Sequence, residues 1–229
     1  MSLQFHHHPL SSYCWKVAIA LDERDVAFEP VAVNLGDPTE RGSYLAISPF
    51  GKIPALRDTT TGQCVYETSV MIEYLDQRFP GATPLIPADP AAALQVRLRD
   101  RLFDQYVHGL VQRVVSDRLR PPDKRDAFTV DQAHADLRRT YEVLEGLTAP
   151  AGWAVGEAFS MADCAAAPAL FYADLMEPIG AGRPRLAAYY ARLRERPSVR
   201  RVIEGAKPFF QYYPATPEER ARLAAQGLG

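Results

Sequence analysis

Two hydroxyls and a thiol crowd one turn of the chain: Ser11, Ser12 and Cys14 in PLSSYCWKV, residues 9–17. Residues 13–23 read as a helix, so the turn lies at a helix start, where free amides and the helix dipole favour an anion. In a dithiol redox protein that field holds the first cysteine as a thiolate. Here Ser11 stands in the place of the attacking cysteine, with Cys14 one helical turn behind it. A serine hydroxyl stays neutral at physiological pH, so the turn offers a hydrogen-bond donor and no nucleophile of its own. It is suited to stabilising an anion brought to it, through Ser11 or through Ser12. Cys14, without its partner, reads as a small buried residue, and a mixed disulfide is the alternative.

Other stretches admit a bland and a functional reading. In SPFGKIPAL, residues 48–56, Pro54 begins a strand after Ile53; it either guards an edge or fixes a cis bond that turns the Ile53 backbone outward to pair with an extended peptide. In YETSVMIEYL, residues 66–75, Glu67 and Thr68 lie where a strand gives way to a helix. A hydroxyl or carboxylate there can cap the helix, and free amides nearby can hold a ligand carboxylate. FSMADC, residues 159–164, spaces Ser160 and Asp163 as a capping box, with Phe159 placed to staple onto Cys164; its role is structural. His6, His7 and His8 do not make a metal site, because neighbours on a strand point to alternate faces. The tail KPFFQYYP, residues 207–214, either packs or walls an apolar pocket.

The elements that must position these residues fall into two groups. Residues 3–7 form a strand, 13–23 a helix, 27–33 a strand and 39–46 a short helix. Residues 55–57 and 64–66 make a hairpin, and 68–79 a helix. This is an α/β unit with a mixed sheet. Four prolines within residues 80–90 break both periodicities and mark a linker. The division is 1–80, a linker 81–90, and an all-helical 91–229. The first helix of the second part carries Leu94, Leu98, Leu102, Tyr106, Leu110 and Val114 as an apolar stripe, widened by Val107 and Val111, with Arg97, Arg101 and Asp104 mostly outside it. A second uses Ala133, Leu137, Tyr141 and Leu144; a third, apolar all round, starts at Met161 and meets Pro168; a fourth covers residues 185–195.

The bulk numbers exclude several classes. The 229 residues carry a formal charge of −2, which gives no basic field for nucleic acid or an anionic membrane. No apolar run reaches the roughly 18–20 residues of a membrane span, and the N-terminus lacks a secretory pattern. Three scattered cysteines, Cys14, Cys64 and Cys164, are not a disulfide framework and indicate a reducing, cytoplasmic setting.

In their order and spacing, the serine turn, GKIPAL, ETS, the proline-rich segment and FSMADC resemble the cytosolic glutathione transferase superfamily, in its serine-type, theta-like and zeta-like form. RLRERPSVRR, residues 192–201, resembles the family's penultimate helix. The resemblance covers nearly the whole chain. It implies a thioredoxin-like N-terminal domain that binds glutathione and an all-helical domain that supplies the second-substrate pocket. Carried over residue by residue, Ser11, with Ser12 as the neighbouring candidate, donates a hydrogen bond to the glutathione sulfur. Ile53, beside cis-Pro54, pairs through its backbone with the cysteinyl part; Glu67 and Thr68 hold the γ-glutamyl end; Lys52 contacts the peptide's carboxylate. Zeta-like members carry a cysteine directly after the paired serines, where this chain has Tyr13.

The resemblance therefore implies a glutathione transferase that conjugates glutathione to a small electrophile held near Tyr106 and the aromatic tail, chemistry of the kind used in detoxification. Two alternatives stand beside it. One is a glutathione-dependent cis–trans isomerase acting on a dicarboxylate, like maleylacetoacetate isomerase, with Arg113 as a candidate basic residue. The other is a non-catalytic binding or regulatory protein that keeps the fold. No metal, nucleic acid or membrane partner is expected. The resemblance also implies a homodimer, with the Arg97–Arg101 face and the Glu73–Arg78 region as candidate contacts.

Overall fold

In the first strand, β1 (Leu3–His7), Leu3 and Phe5 alternate onto one face and are buried there. Helix α1 (Ser12–Glu23) carries the chain across to β2 (Glu29–Ala32), which lies parallel to β1. A short α2 (Pro38–Tyr44), capped by Asp37, leads to the hairpin of β3 (Ala55–Asp58) and β4 (Cys64–Val65). The hairpin closes around Gly62, whose φ of 74° is the left-handed conformation a glycine adopts at no steric cost. β3 runs antiparallel to β1, with Phe5 opposite Leu56, and the sheet order is β2-β1-β3-β4. Helix α3 (Thr68–Arg78) then packs against α1. This is the computed structural model of the chain, and it describes residues 2–79 and 83–229.

Part of the segment read as a linker, residues 81–82, and its leading Pro80 lie outside the described residues. The chain from Leu85 onward is tied to both domains: the Asp76 carboxylate accepts from the amides of Leu85 and Ile86, and Met161 N donates to Leu85 O. The rest is all helical: α4 (Pro90–Arg101), α5 (Gly109–Arg118), α6 (Ala127–Leu147), α7 (Met161–Met176), α8 (Pro184–Glu195), α9 (Pro197–Ala206) and α10 (Pro217–Ala225). Residues 192–201, read as one helix, instead span the end of α8, a break at Arg196 and the start of α9.

The apolar stripe expected on the first long helix is its buried face only toward the C-terminal end. Val107, Leu110, Val111 and Val114 are buried, but Leu94, Leu98 and Tyr106 are exposed, and Val96, Asp100, Phe103, Asp104 and His108 take the buried side instead. A four-residue spacing advances roughly 40° per step around an α-helix, so such a stripe walks round the surface instead of staying on one side. The helix also widens into π-type turns at Leu102–His108 between α4 and α5, which shifts the phase again.

At the centre lies α7, in which every residue but Asp174 is buried, and Pro168 sits inside it without ending it. α1 packs on α7 through Trp15 against Phe171 and Tyr172, at 5.0 and 5.3 Å between ring centroids. The aromatic tail does both things expected of it: Phe210 lies against Phe171 and Trp15, and Tyr213 against Tyr172, while Tyr212 is exposed and Lys207, Pro208 and Phe210 line a cleft with Leu223 and Leu228. The start of α7 is fixed by Asp163, fully buried, which accepts from Ala154 N, Ser160 N, Ser160 Oγ and the Tyr189 hydroxyl. Asp163→Ala strips four donors of their acceptor, so the expected loss is about 3 kcal/mol or more, read from the denaturant midpoint. A loss below about 1 kcal/mol would show that the box is not a stability determinant.

Cys14 and Cys164 are buried and Cys64 is partly exposed. Burial pushes the Cys14 thiol up to about 12, against the opposing pull of hydrogen bonds with Ser11 and His8. A raised pKa keeps the thiol protonated, and so unreactive, at every pH below that value. Titration with a disulfide reagent at neutral pH is expected to find one reactive thiol in the native protein and three after unfolding. Two reactive native thiols, with Cys14 modified, would contradict this.

Candidate functional site

The loop between β1 and α1 is tied at several points. Ser11 N donates to His8 O (3.0 Å), Trp15 Nε1 to Pro9 O (2.5 Å) and the Tyr172 hydroxyl to Leu10 O (2.8 Å). These bonds set Ser11 as the N-cap of α1, where its Oγ accepts from Cys14 N at 3.3 Å. Apart from the neighbouring Cys14 thiol, the hydroxyl proton of Ser11 has no acceptor among the described residues. Ser12 is different. It is buried, and its Oγ lies 2.5 Å from Nε2 of His108, a nitrogen that Gln112 also meets. Burial, aided by the charge of Lys16, pushes His108 down to about 3, so the imidazole is neutral. Tyr13 stacks flat on that imidazole, 3.9 Å between centroids.

Beside this turn lies a cavity of about 200 Å³. Its wall includes Lys52, Ile53, Pro54, Glu67 and Thr68, so five of the sequence-derived site residues meet in one place. Ser11 and Ser12 are not part of that wall; Tyr13, between them and Cys14, is. The Ile53–Pro54 bond is cis. The turn before it is held by Tyr44 and Ser48, whose hydroxyls both donate to Lys52 O at 2.9 Å. Glu67 stands at the N-cap of α3 with φ 70° and makes no capping hydrogen bond with its side chain. A left-handed glutamate costs on the order of 1–2 kcal/mol and is the kind of outlier that marks a working site. The first amides of α3 therefore face the cavity without a side-chain cap, a setting that favours a carboxylate.

The opposite wall comes from the helical domain: Arg101, Asp104 and Gln105. Arg101 reaches both Asp100 and Asp104, at 2.7 and 2.5 Å, and also Ser69. Beneath them Lys16 of α1 is buried, with its Nζ 2.6 Å from Asp100, 2.8 Å from Asp104 and 3.0 Å from Ser69. Burial pushes the Asp104 carboxyl up, while Lys16 pulls it down. Burial and the Asp104 charge push the Tyr13 phenol up to about 12, so it enters the cavity as a hydrogen-bond donor. The cavity thus offers cations and free amides for carboxylates, and carboxylates for an ammonium group. The sequence reading missed Lys16, Asp100, Asp104, Arg101 and Gln105 as site residues. The signal available was two acids four residues apart, flanking Phe103 and followed by Val107.

The comparisons with known proteins agree with this architecture. Residues 5–83 match the model of the glutathione S-transferase N-terminal domain, and residues 127–192 that of its C-terminal domain. Glutathione S-transferase GstB of Escherichia coli strain K12 is 25% identical over 190 residues, which cover 82% of this chain and 91% of the relative. A stringent starvation protein A homolog of Haemophilus ducreyi is 28% identical, with 86% and 87% covered. The crystal structure of a glutathione S-transferase from Methylobacillus flagellatus, with glutathione bound, superposes with a TM-score of 0.80 at 29% identity, covering 88% of this chain and 98% of that one. Both domain models, the relatives and the sheet-then-helices fold converge: the chain belongs to the cytosolic glutathione S-transferase superfamily.

Proposed function

We propose that this chain is a glutathione transferase that binds glutathione in the cavity beside Pro54 and activates its thiol for attack on a small electrophile. The observation that carries the reading is the meeting of Lys52, Ile53, Pro54, Glu67 and Thr68 around one cavity at the uncapped start of α3. In this reading the γ-glutamyl carboxylate sits on the α3 amides and Thr68, and its ammonium group faces Glu67. The Ile53 backbone pairs with the cysteinyl part, and Lys52 meets the glycyl carboxylate.

Ser11 is the sulfur's hydrogen-bond donor, because its oxygen already accepts from Cys14 N and its proton has, among the described residues, no acceptor but the neighbouring Cys14 thiol, from which a thiolate would draw it. Ser12 is committed to His108. A free thiol has a pKa of about 8.5, and lowering it by about two units corresponds to roughly 2.7 kcal/mol. A charge-assisted hydrogen bond of roughly 1.5–3 kcal/mol, with the α1 dipole behind it, is of that size. The thiol proton leaves to solvent and a sulfur lone pair forms the carbon–sulfur bond. The electrophile then either releases its leaving group with the bonding electrons or, in an addition, takes up a proton. A cytoplasmic setting suits a thiol co-substrate. Among the described residues no helix is long and apolar enough to cross a membrane.

The test is an ultraviolet difference titration with glutathione across pH, for the wild type and Ser11→Ala. A thiolate band at neutral pH is expected, moving up by about one to two pH units in the variant. Binding without a thiolate would sink the activation step. No binding would favour the non-catalytic reading.

The chain is further proposed to act as a homodimer. Glu73 of α3 pairs with Arg97 of α4 at 2.9 Å, and one turn before each lie Val70 and Leu94, with Leu98 beside Arg97. All three apolar side chains are about half exposed or more, a contiguous face that a second copy can cover. Light scattering is expected to give twice the chain mass, and Leu98→Glu to shift it toward the monomer. A monomeric wild type at high concentration would end this proposal.

A further inference from the structure

A second cleft, of about 540 Å³, opens next to the first between the π-type turns, α5 and α6. Gln105 belongs to the walls of both, so the two clefts adjoin at that side chain. The new cleft has an apolar and aromatic strip formed by Tyr106, Leu110 and Val143. Tyr106 and Val143 are each 57% exposed although they sit in the middle of long helices. Its charges are Arg113, Arg139 and Asp136. Arg139 is paired with Asp136, whereas Arg113 makes no ion pair among the described residues. The lining therefore carries one cationic charge in excess. Arg113 follows Gln105 by eight residues, about 12 Å along a helix.

We infer that this cleft is an anionic-ligand subsite: it takes an elongated, planar apolar molecule whose carboxylate pairs with Arg113 and whose body lies along Tyr106, Leu110 and Val143 toward Gln105. The volume lies within the roughly 300–1,000 Å³ of small-molecule sites, and a mostly apolar wall with one placed charge is their usual composition. A planar body suits Tyr106, and the guanidinium fork of Arg113 suits a carboxylate better than any neutral group. Naming this ligand as the acceptor of the sulfur rests on the glutathione reading; the existence of the subsite does not. The inference narrows the acceptors from electrophiles at large to aryl or extended acyl carboxylates.

The probes are biphenyl-4-carboxylate and its neutral amide, titrated calorimetrically into the full-length protein with and without glutathione. The wild type, Arg113→Gln, Arg113→Lys and Ser11→Ala are compared. The acid is expected to bind about tenfold more tightly than the amide, the order that one charge-assisted contact supplies. Arg113→Gln is expected to erase that preference while leaving the amide unchanged, Arg113→Lys to restore part of it, and Ser11→Ala to leave it intact. Simultaneous binding of acid and glutathione is expected. Equal affinities for acid and amide, an acid preference indifferent to Arg113, failure of the acid to bind, or displacement of the acid by glutathione would each overturn the inference. If the acid binds through Arg113 but glutathione does not bind at all, the subsite stands and the glutathione reading falls.

Discussion

One buried ammonium group holds the candidate site together. Lys16 of α1 is 1% exposed and closes on Asp100 and Asp104 from the helical domain and on Ser69 of α3. Taking these charges out of water is costly, and removing one partner of such a cluster costs roughly 3–5 kcal/mol because it strands the others. The cluster is thus a weak source of net stability but a strict specifier of register. It sets the start of α1, the start of α3 and the π-turned helix at fixed distances, and the cavity is the space left among those three. Asp104 belongs to both the cluster and the cavity wall, so ligand and scaffold meet at one carboxylate.

Much of the architecture is legible in the sequence because its signals are local. Pro54 and the Ser160–Asp163 box act through backbone groups within a few residues, and each appears where its pattern implies; α3 starts at ETS as expected, but without the side-chain cap that the pattern suggests. The strands and α1 follow from alternation and helical spacing alone. The first helix of the second domain is misread, because leucines four apart look like a stripe but drift around the surface, and the π-type turns are invisible to any fixed period. That one error hides the roles of Asp100, Arg101, Asp104 and Gln105 together. The contribution of Lys16 is hidden for another reason: its acidic partners lie more than eighty residues away, and only the packing of α1 against the helical domain brings them within reach.

The two serines show how a single position on a helix start divides labour. Ser11, at the N-cap, keeps its hydroxyl at the surface of the turn; Ser12, one residue on, points into the domain junction and meets His108. His108 in turn supports the flat face of Tyr13, so a neutral imidazole buried between them transmits the position of the second domain to the wall of the cavity.

The N-cap bond from Cys14 to Ser11 has an evolutionary corollary. Ser11 serves the helix as well as any chemistry, so selection for folding alone is enough to retain it. The Thr68 hydroxyl makes no hydrogen bond among the described residues, and Glu67 holds a strained backbone without capping α3. Those two have no comparable structural duty. On the proposed glutathione reading, a lineage that abandoned the tripeptide would keep the serine and let Glu67 and Thr68 drift, so the start of α3, more than the start of α1, would record the loss.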